Sequence, residues 1–127
     1  TALQALRAAG HRLGLCTNKP MTPCRAVLRH LSLQGYFDMM IGGDSLPVRK
    51  PDPAPLLAAL EALGEGPCLY VGDSEVDADT AQRAGVPFLL FTEGYRKAPV
   101  ARLPHAAAFA DFADLPGLAG DTLAAAS

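Results

Sequence analysis

The feature that most constrains this fold is a regular alternation of short apolar runs with helical patterns. Leu13 to Cys16, Met39-Met40-Ile41, Cys68 to Val71 and Phe88 to Phe91 each read as a buried strand. Helical faces lie between them. Leu3 and Leu6 mark a first helix that stops near Gly10. Thr22-Pro23 offers an N-cap and a proline at the first helical position, and Val27, Leu28 and Leu31 continue that helix. Asp52-Pro53 opens a third, with Leu56, Leu57, Leu60 and Leu63 on one face and Gly64 closing it. A fourth runs from Asp77 to Ala84 and stops at Gly85. Such alternation implies an α/β fold, a parallel sheet with helices on both faces. After Pro104 the chain is rich in alanine. Phe109, Phe112 and Leu115 are its expected docking contacts, and Ala124-Ala125-Ala126 is expected to fray.

At 127 residues and 50% hydrophobic, the chain suffices for one domain with a core. Its net charge of -2 and scattered basic residues leave no footprint for nucleic acid. No apolar run reaches the roughly 18 residues of a membrane span, and no signal-peptide pattern is present. Cys16, Cys24 and Cys68 lack metal-type spacing and cannot all pair, so reduced thiols in a cytoplasmic protein are expected.

The residues able to do chemistry gather where strands give way to helices. In Val71-Gly72-Asp73-Ser74-Glu75-Val76-Asp77 an apolar run ends on glycine, and two carboxylates follow four positions apart. Open α/β sheets bind ligands at the carboxyl ends of their strands. Paired carboxylates with hydroxyl and carbonyl oxygens nearby suit Mg²⁺. The same stretch also reads as an acidic loop that caps the next helix, with Asp77 as N-cap. After the first strand, Thr17 and Asn18 offer a hydroxyl and backbone N–H groups to a phosphoryl oxygen, or simply make a turn. Lys50, in Arg49-Lys50-Pro51-Asp52-Pro53, is placed either to neutralise a phosphoryl group or to sit solvated on the surface.

Taken in order, Thr17, Lys50 and Asp73/Asp77 resemble the motifs of the haloacid-dehalogenase-like superfamily of phosphohydrolases. Cys16-Thr17-Asn18 resembles its second motif, Lys50-Pro51 its third, and Gly72-Asp73-Ser74-Glu75-Val76-Asp77 its fourth. Thr17-Asn18-Lys19-Pro20, Ile41-Gly42-Gly43-Asp44, Arg49-Lys50-Pro51-Asp52-Pro53 and Thr92-Glu93-Gly94-Tyr95 are most similar to its phosphoglycolate phosphatase branch. The resemblance covers roughly Leu3 to Leu115. It implies a Rossmann-like sheet, a Mg²⁺ cofactor, and hydrolysis of a small phosphomonoester such as 2-phosphoglycolate through an aspartyl-phosphate. It also implies catalytic roles for Thr17, Asn18, Lys50 and Asp73. The Thr17 hydroxyl and the Asn18 backbone N–H would hold phosphoryl oxygens, and Lys50 would balance charge. Asp73 would ligate the metal, with Asp77 supporting it directly or through water.

The superfamily's first motif, Asp-x-Asp-x-Thr, is absent from the sequence. In the family it carries the nucleophile, the general acid/base and a metal ligand. It precedes the second motif, and a helical cap domain lies between them. The resemblance therefore implies that residues 1–127 are the C-terminal part of a haloacid-dehalogenase-like hydrolase core, incomplete and inactive alone. It implies too that the strand bearing the absent Asp runs between the Leu13–Cys16 and Cys68–Val71 strands. Their open edges are then expected to pair with each other, with another copy of the chain, or with a preceding N-terminal part. Thr17, Lys50 and Asp73 are expected to face one cleft. Two other readings use the same groups. A signalling receiver domain places its acidic pair first and its lysine last, the reverse of the order here; a non-catalytic remnant would only bind a partner. His11, His30 and His105 read as surface or helix-end residues. Tyr95 and Arg96 read as plain loop, or as contacts to substrate or cap.

Overall fold

The computed structural model describes residues 2–18, 20–48, 50–64, 66–93 and 105–126. They form two compact units, Leu3–Glu65 and Gly66–Ser127.

The first contains α1 (Ala2–Ala8), β1 (Gly14–Cys16), α2 (Met21–His30), a 3-10 turn at Gln34–Tyr36, β2 (Met39–Ile41) and α3 (Ala54–Leu63). β1 and β2 are parallel, with Gly14 opposite Met39 and Cys16 opposite Ile41. Helix α3 packs on both strands and buries Pro55, Leu56 and Ala59. The entries to the strands are tied together. Asp38 N–H donates to the Leu13 carbonyl (2.6 Å), and Leu13 N–H donates to the Asp38 carboxylate (2.9 Å). The Arg7 guanidinium reaches that carboxylate at 3.2 Å and the Tyr36 carbonyl at 3.1 Å. The Leu13 N–H and then the Arg7 guanidinium hold the Asp38 carboxyl below its ordinary pKa.

Two local expectations fail in this unit. Helix α2 starts at Met21 with Pro20 in the cap position, so Thr22 is not its N-cap and Pro23 is not its first residue. Pro20 has no side-chain acceptor, and the Met21 N–H donates instead to the Asp44 carboxylate from the loop after β2 (2.9 Å). Leu57 points outward at 46% exposure, because α3 turns the Leu56–Ala59 side inward.

The second unit contains β3 (Tyr70–Gly72), α4 (Glu75–Ala84), β4 (Phe88–Phe91), β5 (Ala107–Phe109), a 3-10 turn at Phe112–Asp114 and α5 (Leu115–Ala126). Its sheet runs β3-β4-β5, parallel throughout. Leu89 and Leu90 are fully buried on β4. Ala78 and Ala81 of α4 form a core cluster with Phe88 and Leu90, and Tyr70 packs at its margin. Helices α3 and α4 end at glycines with positive φ, Gly64 (102°) and Gly85 (72°).

Here too the structure departs from expectation. β3 begins at Tyr70, not Cys68, and takes in Gly72. β5 has no strand pattern of its own and exists through its pairing with β4. Phe109 and Leu115 are buried as expected, but Phe112 is 48% exposed, with its ring 4.5 Å from that of Phe91. α5 runs through Ala126, so Ala124 and Ala125 are helical.

The strand pairings are parallel and helices pack against them, an α/β, Rossmann-like architecture. β1 and β3 belong to separate sheets, and each is an edge strand among the described residues. All three cysteines are free thiols. No helix among the described residues is long and apolar enough to cross a membrane.

Candidate functional site

The β3–α4 junction is built around one carboxylate. Ser74 is the N-cap of α4, its hydroxyl accepting from the Asp77 N–H (3.2 Å). Asp77 is thus not the cap but the third helical residue. Its side chain turns back toward the strand. Oδ2 accepts from the Asp73 N–H (3.1 Å) and Oδ1 from the Tyr70 hydroxyl (3.2 Å). Asp77 is buried at 8% exposure, and these bonds offset its desolvation. Gly72 makes room for it: a Cβ there would lie 2.5–2.7 Å from Asp77 Oδ2, Cβ and Cγ. Asp77 therefore sets the loop, and the loop presents Asp73. The Asp73 carboxylate is half-buried and has no hydrogen-bond partner among the described residues.

No group of three or more His, Cys, Asp or Glu side chains able to hold a metal occurs among the described residues. Mg²⁺ does not need one. It is commonly held by one or two carboxylates and keeps several waters. Asp73 fits that demand, and Asp77 holds the backbone that presents it.

In the first unit, two loops following β1 and β2 meet. Thr17 N–H donates to the Ile41 carbonyl (3.0 Å), extending the β1–β2 register by one bond. Asn18 then reaches across to Lys50. Its Oδ1 accepts from the Lys50 N–H (3.0 Å), and its Nδ2 donates to the Lys50 carbonyl (3.1 Å). Gly43 lies against the Asn18 carbonyl so closely that a Cβ would collide with the Asn18 backbone. Asp52 caps the approach to α3, its Oδ1 accepting from the Ala54 N–H (2.9 Å).

Of the residues named from sequence, the structure joins Asn18 to Lys50 in one unit and Asp73 to Asp77 in the other. Thr17 stands beside Asn18 with its backbone fixed. Lys19, Arg49, Tyr95 and Arg96 lie outside the described residues. Sequence reasoning missed the Tyr70 hydroxyl, the Asp44 cap and the Asn18 carboxamide. The Ser74 cap was legible, since Ser-x-x-Asp fits the capping-box spacing. The Asn18–Lys50 pair, 32 positions apart, leaves no local signal.

These features define a parallel α/β protein whose polar loops sit at the carboxyl ends of strands. Comparison with known proteins names the group. A family model described as haloacid dehalogenase-like hydrolase matches residues 1–85, and the chain belongs to that family. It is 53% identical over 118 residues to a phosphoglycolate phosphatase of Rhodobacter capsulatus, covering 93% of this chain and 54% of the relative. It is 59% identical over 117 residues to a phosphoglycolate phosphatase of Cereibacter sphaeroides, covering 92% and 54%. Among solved structures it is similar to a predicted phosphoglycolate phosphatase from Haemophilus somnus, with a TM-score of 0.86 and 37% identity over 92% of this chain and 53% of that one. A haloacid-dehalogenase-superfamily hydrolase from Geobacter sulfurreducens matches with a TM-score of 0.77 and 39% identity, covering 94% and 53%. The chain thus spans about half the length of the relatives it matches.

Proposed function

We propose that the protein bearing these residues is a cytoplasmic phosphoglycolate phosphatase, hydrolysing 2-phosphoglycolate with Mg²⁺ through an aspartyl-phosphate. Asp73 carries this reading. It is a half-buried carboxylate at the end of β3, without a hydrogen-bond partner among the described residues, on a backbone that Asp77 locks. A carboxylate presented on a fixed backbone at a strand end suits a hard, oxygen-seeking cation. The names of the relatives in R. capsulatus and C. sphaeroides support the choice of substrate.

Each residue then has a task. Asp73 holds the cation, and Asp77 keeps Asp73 in place. Bound Mg²⁺ would act as a Lewis acid on the phosphoryl group. The Thr17 hydroxyl and Asn18 N–H bind phosphoryl oxygens, and the Lys50 ammonium offsets the charge of phosphate and nucleophile. An aspartate carboxylate attacks phosphorus and displaces the glycolate oxygen; water then cleaves the aspartyl-phosphate and regenerates the carboxylate. Residues 1–127 hold no Asp-x-Asp-x-Thr. In this proposal the nucleophile comes from the portion of the relatives that these residues do not span, and residues 1–127 alone are inactive. That portion, or a second copy of the chain, supplies the strand beside β1 and β3.

The test measures phosphate release from 2-phosphoglycolate by the full-length protein, with and without chelator, and by Asp73→Asn. Activity should vanish in both cases while the unfolding midpoint is retained. Full activity in excess chelator, or in the Asn variant, would refute the reading.

A further inference from the structure

We propose that the Asn18 side chain is a positioning residue for Lys50, holding the lysine backbone by a two-bond carboxamide-to-peptide clamp. The proposal rests on the phosphatase reading and adds a role for the side chain to the backbone N–H contact proposed for Asn18.

The geometry is specific. A carboxamide has the donor and acceptor of a peptide group, and Asn18 spends both on one residue. The exchange matches that of a hydrogen-bonded residue pair in antiparallel strands. Two bonds fix both the distance and the orientation of the Lys50 peptide, where one would leave it free to pivot. On the following side, Pro51 restricts its own φ. The clamp is itself anchored. Thr17 N–H is held by the Ile41 carbonyl, Gly43 packs on the Asn18 carbonyl, and Met21 N–H is held by Asp44. The end of β2 thereby fixes Asn18, and Asn18 carries that position to Lys50.

The choice of amide matters. A lysine ammonium ends a flexible four-carbon stem, so its placement depends on how well its backbone is held. An aspartate at position 18 could accept from the Lys50 N–H, but its other oxygen would face the Lys50 carbonyl. It would also set a negative charge beside a cation meant for phosphate. Asparagine holds the lysine and leaves its charge intact.

The test is a double-mutant cycle in the full-length protein. Asn18→Leu and Asn18→Asp are each made alone and together with Lys50→Met. Two quantities are read: kcat for 2-phosphoglycolate and the affinity for inorganic phosphate. Cooperative melting confirms that each variant folds, and the Asp variant serves if the Leu variant does not. Each Asn18 single variant should lower kcat and phosphate affinity by about tenfold or more, on the scale of small misplacements of a charge-stabilising group. In the Lys50→Met background the same change should cost less than about threefold, because its route is already gone. Losses that multiply fully would overturn the proposal, as would wild-type values in both single variants. If the wild-type protein hydrolyses no phosphomonoester, the phosphatase reading fails, and the phosphate-affinity cycle alone decides the clamp.

Discussion

Replacing Gly72 with alanine probes the link between the sheet and the Asp73 loop. Gly72 has no positive φ, so the backbone tolerates a Cβ; the obstacle is space. The new methyl would sit 2.5–2.7 Å from three atoms of Asp77. To regain ordinary contact near 3.4 Å, the carboxylate must retreat by roughly 0.8 Å. Its bonds to the Asp73 N–H and the Tyr70 hydroxyl, now 3.1 and 3.2 Å, would then pass the limit of useful hydrogen bonds. Overpacking costs about 1–3 kcal/mol, and each weakened bond adds about 1 kcal/mol. The expected destabilisation is about 3–5 kcal/mol, and under the proposed phosphatase reading Mg²⁺ binding should weaken because Asp73 loses its anchor. Denaturant unfolding of the full-length protein reads the first and calorimetric Mg²⁺ titration the second. In an Asp77→Gly background the Cβ, Cγ and Oδ2 that obstruct are all gone, so the same Gly72→Ala change should cost under about 1 kcal/mol. Equal costs in both backgrounds would refute the steric argument, as would a cost below about 0.5 kcal/mol in the wild type.

Three further outcomes are expected. Tyr70→Phe keeps the ring against Phe88, at a centroid distance of 6.0 Å, but removes the bond to Asp77; stability should fall by about 1 kcal/mol, and an unchanged unfolding midpoint would count against the bond. Asp38 has a folded pKa below its ordinary 3.8, so its contribution is complete above that value and is lost as pH falls through the lowered one. The stability gap between wild type and Asp38→Asn should therefore close as pH falls below the ordinary 3.8 and through the lowered value, and a gap that widens on acidification would contradict the sign. Residues 1–127 produced alone should sediment as associated species, since β1 and β3 are both edge strands among the described residues; a monomer that melts cooperatively and hydrolyses a phosphate ester would overturn this.

Much of the scaffold is legible in the sequence. Met39–Ile41 and Phe88–Phe91 form strands as read, because a short apolar run can be buried only in a sheet or a core helix and each is too short for the latter. Helix stops at Gly64 and Gly85 are equally plain, since few residues other than glycine accept their positive φ. Thr17 and Asp73 directly follow strands, Lys50 lies in the loop before α3 and Asp77 in the first turn of α4, and the order of these residue types resembles the family's motifs. Other features arise only once the chain is folded. β5 is a strand because β4 offers an edge, not because Ala107-Ala108-Phe109 prefers one. Helix α2 takes its cap from Asp44, 23 positions away, since Pro20 can supply none. Leu57 faces out because the packing of α3 on β1 and β2, not the spacing of its leucines, chooses the inner side. Asn18 and Lys50 show the division most clearly. Composition and spacing describe what a residue prefers near its own neighbours, whereas a bond across 32 positions depends on where the sheet returns the chain.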